Sequence, residues 1–175
     1  MMTSHIAFWA FAAVLLFWAV GAHNRLVRLR SAIVRRFAPV DEQFALRHTL
    51  LEQQLEALAP VLTNAGPRLD ALRAACVQAD TARAHAKQRP GAVGAITSLR
   101  LAEDILGEAR ARLPVAAALG ASVPDLSAQL ATSDVALAFA RKQFNDAVSE
   151  YNLAVQQFPT SLLARLLGFR AASTL

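Results

Sequence analysis

The sequence predicts an all-α fold. A long apolar N-terminal helix continues into an antiparallel up-down bundle of about four helices, closed by a short C-terminal amphipathic helix. Three observations predict it. Of 175 residues, 38 are Ala and 26 are Leu, while the β-branched residues that favour strands are sparse. Apolar side chains recur at three-four spacing through most of the chain. Breaks rich in Gly and Pro punctuate that pattern at "TNAGP", "RPGAVG" and "GASVPD".

The first element is residues 6–24, preceded by a short N-terminus, residues 1–5. Ile6 to Ala22 carries no polar side chain across seventeen residues. As a helix it is roughly 25 Å long, at the short end of what crosses a bilayer. Trp9 and Trp18 stand near its ends, where amphipathic rings favour the interface. Arg25, Arg28, Arg30, Arg35 and Arg36 follow within twelve residues that hold no acid. These five account for the whole net charge of +5, since thirteen bases and thirteen acids remain elsewhere. The charge is therefore one local band, which disfavours nucleic-acid binding and suits a positive cytoplasmic flank. On this pattern the expectation is a single-pass membrane protein, N-terminus out and bundle in the cytoplasm, with the lipid bilayer as a partner. The competing reading is a signal peptide cleaved after Ala22, at Val20-Gly21-Ala22, releasing an exported binding protein.

The bundle, residues 25–159, divides into helices at about 25–62, 67–89, 94–113 and 125–158. In the first, Ile33, Phe37, Val40, Phe44, Leu51, Leu55, Leu58 and Leu62 form one stripe, interrupted by Arg47. Pro39 is expected to kink or split it near Phe37. Pro67 suits the start of the second helix, whose seam of Leu69, Leu72, Cys76, Ala79 and Arg83 is thin. The third carries Ile96, Leu99, Ala102, Leu106 and Leu113, with Glu103, Asp104 and Glu108 read as a solvated acidic face. The fourth, with Asp125 as N-cap, aligns Leu130, Leu137, Phe144, Val148, Tyr151, Val155 and Phe158 as core, with Asp134 and Arg141 in the same register. Pro159 ends it.

Residues 160–175 supply the amphipathic segment, in which Leu162, Leu163, Leu166 and Leu167 share a face. An up-down order returns this segment to the membrane side of the bundle. Either it caps the bundle's open end, or it lies at the interface with Arg165 and Arg170 toward lipid phosphates, making the protein a peripheral lipid-binding module.

Two blocks resemble the LemA family of bacterial membrane proteins. "FNDAVSEYNLAVQQFPTSLLARLLGF" matches its C-terminal signature at Phe144, Asn145, Val148, Tyr151, Asn152, Phe158, Pro159, Gly168 and Phe169. Asn24 to Leu51 is similar to its N-terminal segment at Asn24-Arg25-Leu26, Leu29-Arg30, Asp41 and Arg47-His48. Thr49 and Glu52-Gln53 depart from it, marking a divergent member. The resemblance implies a membrane-anchored antiparallel bundle with a short external N-terminus.

Asn145 and Asn152, seven apart on one helix face, are expected either to bond across to Asp41, Arg47 or His48 or to be solvated. Arg47 is expected to pair with Asp146 or Glu150, and Arg141 with Glu52 or Glu56. Tyr151 should place its hydroxyl at the bundle rim.

No catalytic or metal-ligand spacing is present. The histidines (His5, His23, His48, His85) are scattered, Cys76 sits on a helix seam, and "RPGAVG" lacks the spacing and lysine of a phosphate loop. The expectation is a non-catalytic scaffold that binds other membrane or cytoplasmic proteins, without cofactor. The thin seams of the second and third helices favour a homo-oligomer.

Overall fold

The computed structural model describes residues 2–60, 66–113 and 124–175. Among them are five helices and no strand: α1 (Met2–Leu58), α2 (Gly66–Gln88), α3 (Val93–Ala111), α4 (Pro124–Gln156) and α5 (Thr160–Leu166). The end placed near Leu62, most of the "TNAGP" turn and most of the "GASVPD" break lie outside the described residues.

Helix α1 is about 85 Å long at 1.5 Å per residue. Of the two outcomes expected at Pro39, a kink or a split, the split does not occur. Phe37 and Val40 are buried on either side of the proline, so packing holds both halves in register. Pro39 and Arg35, whose carbonyl loses its partner, are both exposed, and water can reach that carbonyl.

Burial changes abruptly along α1. Every large apolar side chain from Ile6 to Val20 is exposed, Trp9 by 70% and Phe17 by 78%. From Leu26, which is fully covered, the stripe through Leu29, Ile33, Phe37, Val40, Phe44, Leu51, Leu55 and Leu58 is core. The first part of α1 therefore stands clear of the bundle, and the arginine band marks the border.

The covered part packs chiefly against α4, antiparallel. Phe37 meets Phe144 edge-on at 5.6 Å, and Arg36 donates to the Gln143 side chain at 2.5 Å, while Arg47 reaches Asp134 farther along. Helix α2 packs on α1, and α3 packs on α2. Pro67 lies in the first turn of α2, as expected. Helix α4 begins at Pro124, so Asp125 occupies its first turn and not the cap; its carboxylate there accepts from Gln129. Leu130, Leu137, Phe144, Val148 and Tyr151 are core as expected, but Phe158 is 75% exposed. The reason is local: α4 ends at Gln156, and the chain turns before Phe158 can face α1.

Candidate functional site

The signature residues assemble a clamp on the C-terminal tail. Helix α5 stops at Leu166, and Gly168 adopts a left-handed φ of 74°. The Phe169 N–H then donates to the Ala164 carbonyl at 2.9 Å, and that of Gly168 to Arg165 at 3.3 Å. This is a Schellman stop, for which glycine is the ordinary residue. It reverses the chain, and Phe169 packs its ring edge-on against His23 at 5.7 Å.

From Arg170 the tail runs back along α4, antiparallel to it. The Tyr151 hydroxyl donates to the Arg170 carbonyl at 2.9 Å. Asn152 donates to the Ala172 carbonyl at 2.9 Å and accepts from its N–H at 2.8 Å. Asn145 makes the same pair with Leu175, both at 2.8 Å. Each carboxamide thus imitates a neighbouring strand. The spacing explains itself: seven helical residues advance about 10.5 Å, and three extended residues advance about 10 Å. Neither outcome expected from the sequence, bonds to α1 or solvation, is met: both asparagines hold the tail backbone. Burial pushes the Tyr151 pKa up, with Arg30 acting in the opposite sense.

The tail also touches the α2–α3 turn, where Ser173 donates to the Gly91 carbonyl at 3.1 Å. Gly91 has a φ of 86°, and a Cβ there would lie 3.1 Å from Ile33 and 3.3 Å from Ala172. Three elements converge on this glycine, which leaves no room for a side chain.

A second constellation crosses the middle of the bundle. Arg47 pairs with Glu103 of α3 and reaches Asp134 of α4 at 3.6 Å. Arg141 reaches the same Glu103 at 3.3 Å, and Arg110 reaches Asp134 at 3.4 Å. Both Arg47 and Arg141 stack on the Phe44 ring, at 5.5 and 5.0 Å. The expected partners Asp146, Glu150, Glu52 and Glu56 are not used; Asp146 pairs instead with Lys142 at 2.9 Å. Glu103 is not on a solvated face, since its side chain is 8% exposed. Its position, four residues after Leu99 and three before Leu106, places it on the α3 apolar stripe, a signal present in the sequence. Burial lowers the Arg47 pKa to about 10, partly offset by Asp134; it stays cationic at neutral pH.

Asp41 ties α1 to α2. It accepts from Arg83 at 2.7 Å and Lys87 at 2.8 Å. Burial disfavours its charge, yet these two partners outweigh burial and hold its pKa below the ordinary 3.8. His48 meets Glu52 one turn away at 3.2 Å.

Of the basic band, all five arginines are exposed. In α5 the buried positions are Thr160 and Ala164. Leu162 and Leu166, on another face, are 62% and 81% exposed, and Leu167 is 46% exposed. Leu163 is half-buried and Arg165 exposed, so the four leucines do not act as one covered face. No group of His, Cys, Asp and Glu among the described residues could hold a metal ion.

The family model described as LemA family matches residues 37–175, most of the chain. The chain belongs to the LemA family. Both the Asn145–Asn152 clamp and the Gly168-Phe169 stop fall within the LemA match. The similarity noted for Asn24 to Arg36 lies before it. No curated protein and no solved structure matches the chain.

Proposed function

We propose that this LemA protein is an integral, single-pass protein of the bacterial cytoplasmic membrane whose bundle is a non-catalytic scaffold for other proteins at the cytoplasmic surface. The burial border on α1 carries the reading. An α-helix that exposes all its large apolar side chains from Ile6 to Val20, then buries Leu26 completely, is suited to lipid on one side of the border and to a bundle on the other. One helix among the described residues is long and apolar enough to cross a membrane. The arginines beyond the border favour a cytoplasmic bundle.

Helix α5 belongs to the same reading. The stop that follows it brings Phe169 onto His23, the first residue after the apolar segment, and Leu162 and Leu166 remain uncovered. An exposed leucine pair at that level is suited to the bilayer interface. Self-assembly through the bundle's sides is part of the proposal, and a strictly monomeric detergent-solubilised protein in light scattering would remove it.

The deciding experiment is carbonate extraction of membranes containing the full chain, with the product's N-terminus determined by mass spectrometry. An uncleaved product resisting extraction is the expected result. A product beginning at His23 and released by carbonate would overturn the anchor and leave an exported binding protein.

A further inference from the structure

The membrane-facing end of the bundle holds a cleft of about 660 Å³ between α1, the α2–α3 turn and the C-terminal tail. Three arginines from three different elements line it: Arg30 of α1, Arg89 of the turn and Arg170 of the tail. No acidic residue lines it. None of the three makes an ion pair among the described residues, whereas Arg47, Arg83, Arg110 and Arg141 all do. Arg30 is close enough to Tyr151, on the cleft wall, for its charge to act on the phenol. Guanidinium groups without a carboxylate partner at one concavity leave their donors available to an anion that bridges them. The arrangement is held in place: the tail bearing Arg170 is clamped by Asn145, Asn152 and Tyr151, and Gly91 fixes the turn bearing Arg89 against Ile33 and Ala172.

We propose that this cleft is a binding site for a phosphate group, presented by an anionic lipid headgroup at the membrane interface. The placement suits that source. Arg170 directly follows Phe169, whose ring lies on His23 at the end of the apolar segment. Arg30 lies about 12 Å beyond Ala22 along the helix axis, and helical side chains lean toward the N-terminus, here toward the membrane. Planar guanidinium groups match phosphate oxygens two at a time. The lipid source rests on the anchored topology above; the phosphate chemistry does not.

The test uses the full chain in a non-ionic detergent. Soluble short-chain phosphatidylglycerol, glycerol phosphate and inorganic phosphate are titrated separately and binding is followed by native mass spectrometry. The variants are the triple R30Q/R89Q/R170Q and, as a charge-matched control, the triple R25Q/R28Q/R35Q. Saturable phosphatidylglycerol binding that weakens at least about tenfold in the first triple and is retained in the second is the expected result. Glycerol phosphate or inorganic phosphate binding with the same loss would support the phosphate site and extend its source beyond lipid. Lipid binding alone would confine the source to the membrane. No saturable binding of any of the three, equal binding by the cleft triple, or equal loss in the control triple would overturn the site. An unchanged melting temperature is expected for the cleft triple, because Tyr151 bonds the main chain of Arg170 and not its side chain. Carbonate extraction of the same variant reports the anchor separately, so failure of one proposal is distinguishable from failure of the other.

Discussion

Replacing Asn152 with alanine removes two hydrogen bonds from the tail at once, one to the Ala172 carbonyl and one from its N–H. A net bond of this kind contributes about 1 kcal/mol, so the tail should lose about 2 kcal/mol of docking free energy. The other restraints, from Asn145, Tyr151 and Gly91, stay in place, so the tail opens more often without being released outright. Residue-resolved hydrogen exchange on the detergent-solubilised full chain reads this directly. In the parent protein the amides of Ala172, Ser173 and Leu175 should be slow, because each donates to a defined acceptor. In Asn152→Ala the Ser173 and Leu175 amides should exchange roughly thirtyfold faster, the factor that about 2 kcal/mol supplies, while amides in the middle of α4 keep their rates. Unchanged exchange at Ser173 and Leu175 would refute docking of the tail as one unit, and unchanged exchange at Ala172, whose N–H loses its acceptor directly, would refute the clamp.

Gly91→Ala should cost about 1–2 kcal/mol in urea unfolding, from the left-handed φ and the 3.1 Å approach to Ile33. Gly94→Ala, with nothing within 4 Å, should be neutral or stabilising. Glu103→Ala should destabilise by about 3 kcal/mol, because it leaves Arg47 and Arg141 without their shared carboxylate. The triple substitution Arg47→Met, Glu103→Leu and Arg141→Met should recover most of that loss in thermal unfolding, and an equal loss in both proteins would contradict a buried ionic cluster. The Asp41 pKa is lowered in the folded state, so its contribution is complete above 3.8 and fades as pH falls through the lower folded value. Asp41→Asn should therefore be less stable at neutral pH and show a shallower loss of stability on acidification, measured by denaturant unfolding across that range.

The helices were legible because their signals are local. Three-four spacing located the core of α1 from Ile33 to Leu58 and that of α4 from Leu130 to Tyr151, and nearly every such position is buried. Sequence could not decide whether Pro39 splits α1, because the penalty for a helical proline is local, while the packing of Phe37 and Val40 that opposes a break involves other helices. The ionic cluster was half legible. Arg47, Asp134 and Arg141 stood out as charges on apolar stripes, but pairing depends on which helix lies alongside. Periodicity along one helix carries no information about that neighbour.

The tail clamp divides the two kinds of knowledge most clearly. The sequence alone established that Asn145 and Asn152 share a face and that the net charge is a band of arginines after an apolar segment. Each is a matter of residue type and short-range geometry. Only the tertiary structure decided that the asparagines hold the chain's own extended tail, and that Arg30, Arg89 and Arg170 meet around one cleft. Those residues are brought together from separate parts of the chain by a reversal at Gly168 and a turn at Gly91. Contacts of that range depend on how the helices pack, and packing is a property of the whole chain.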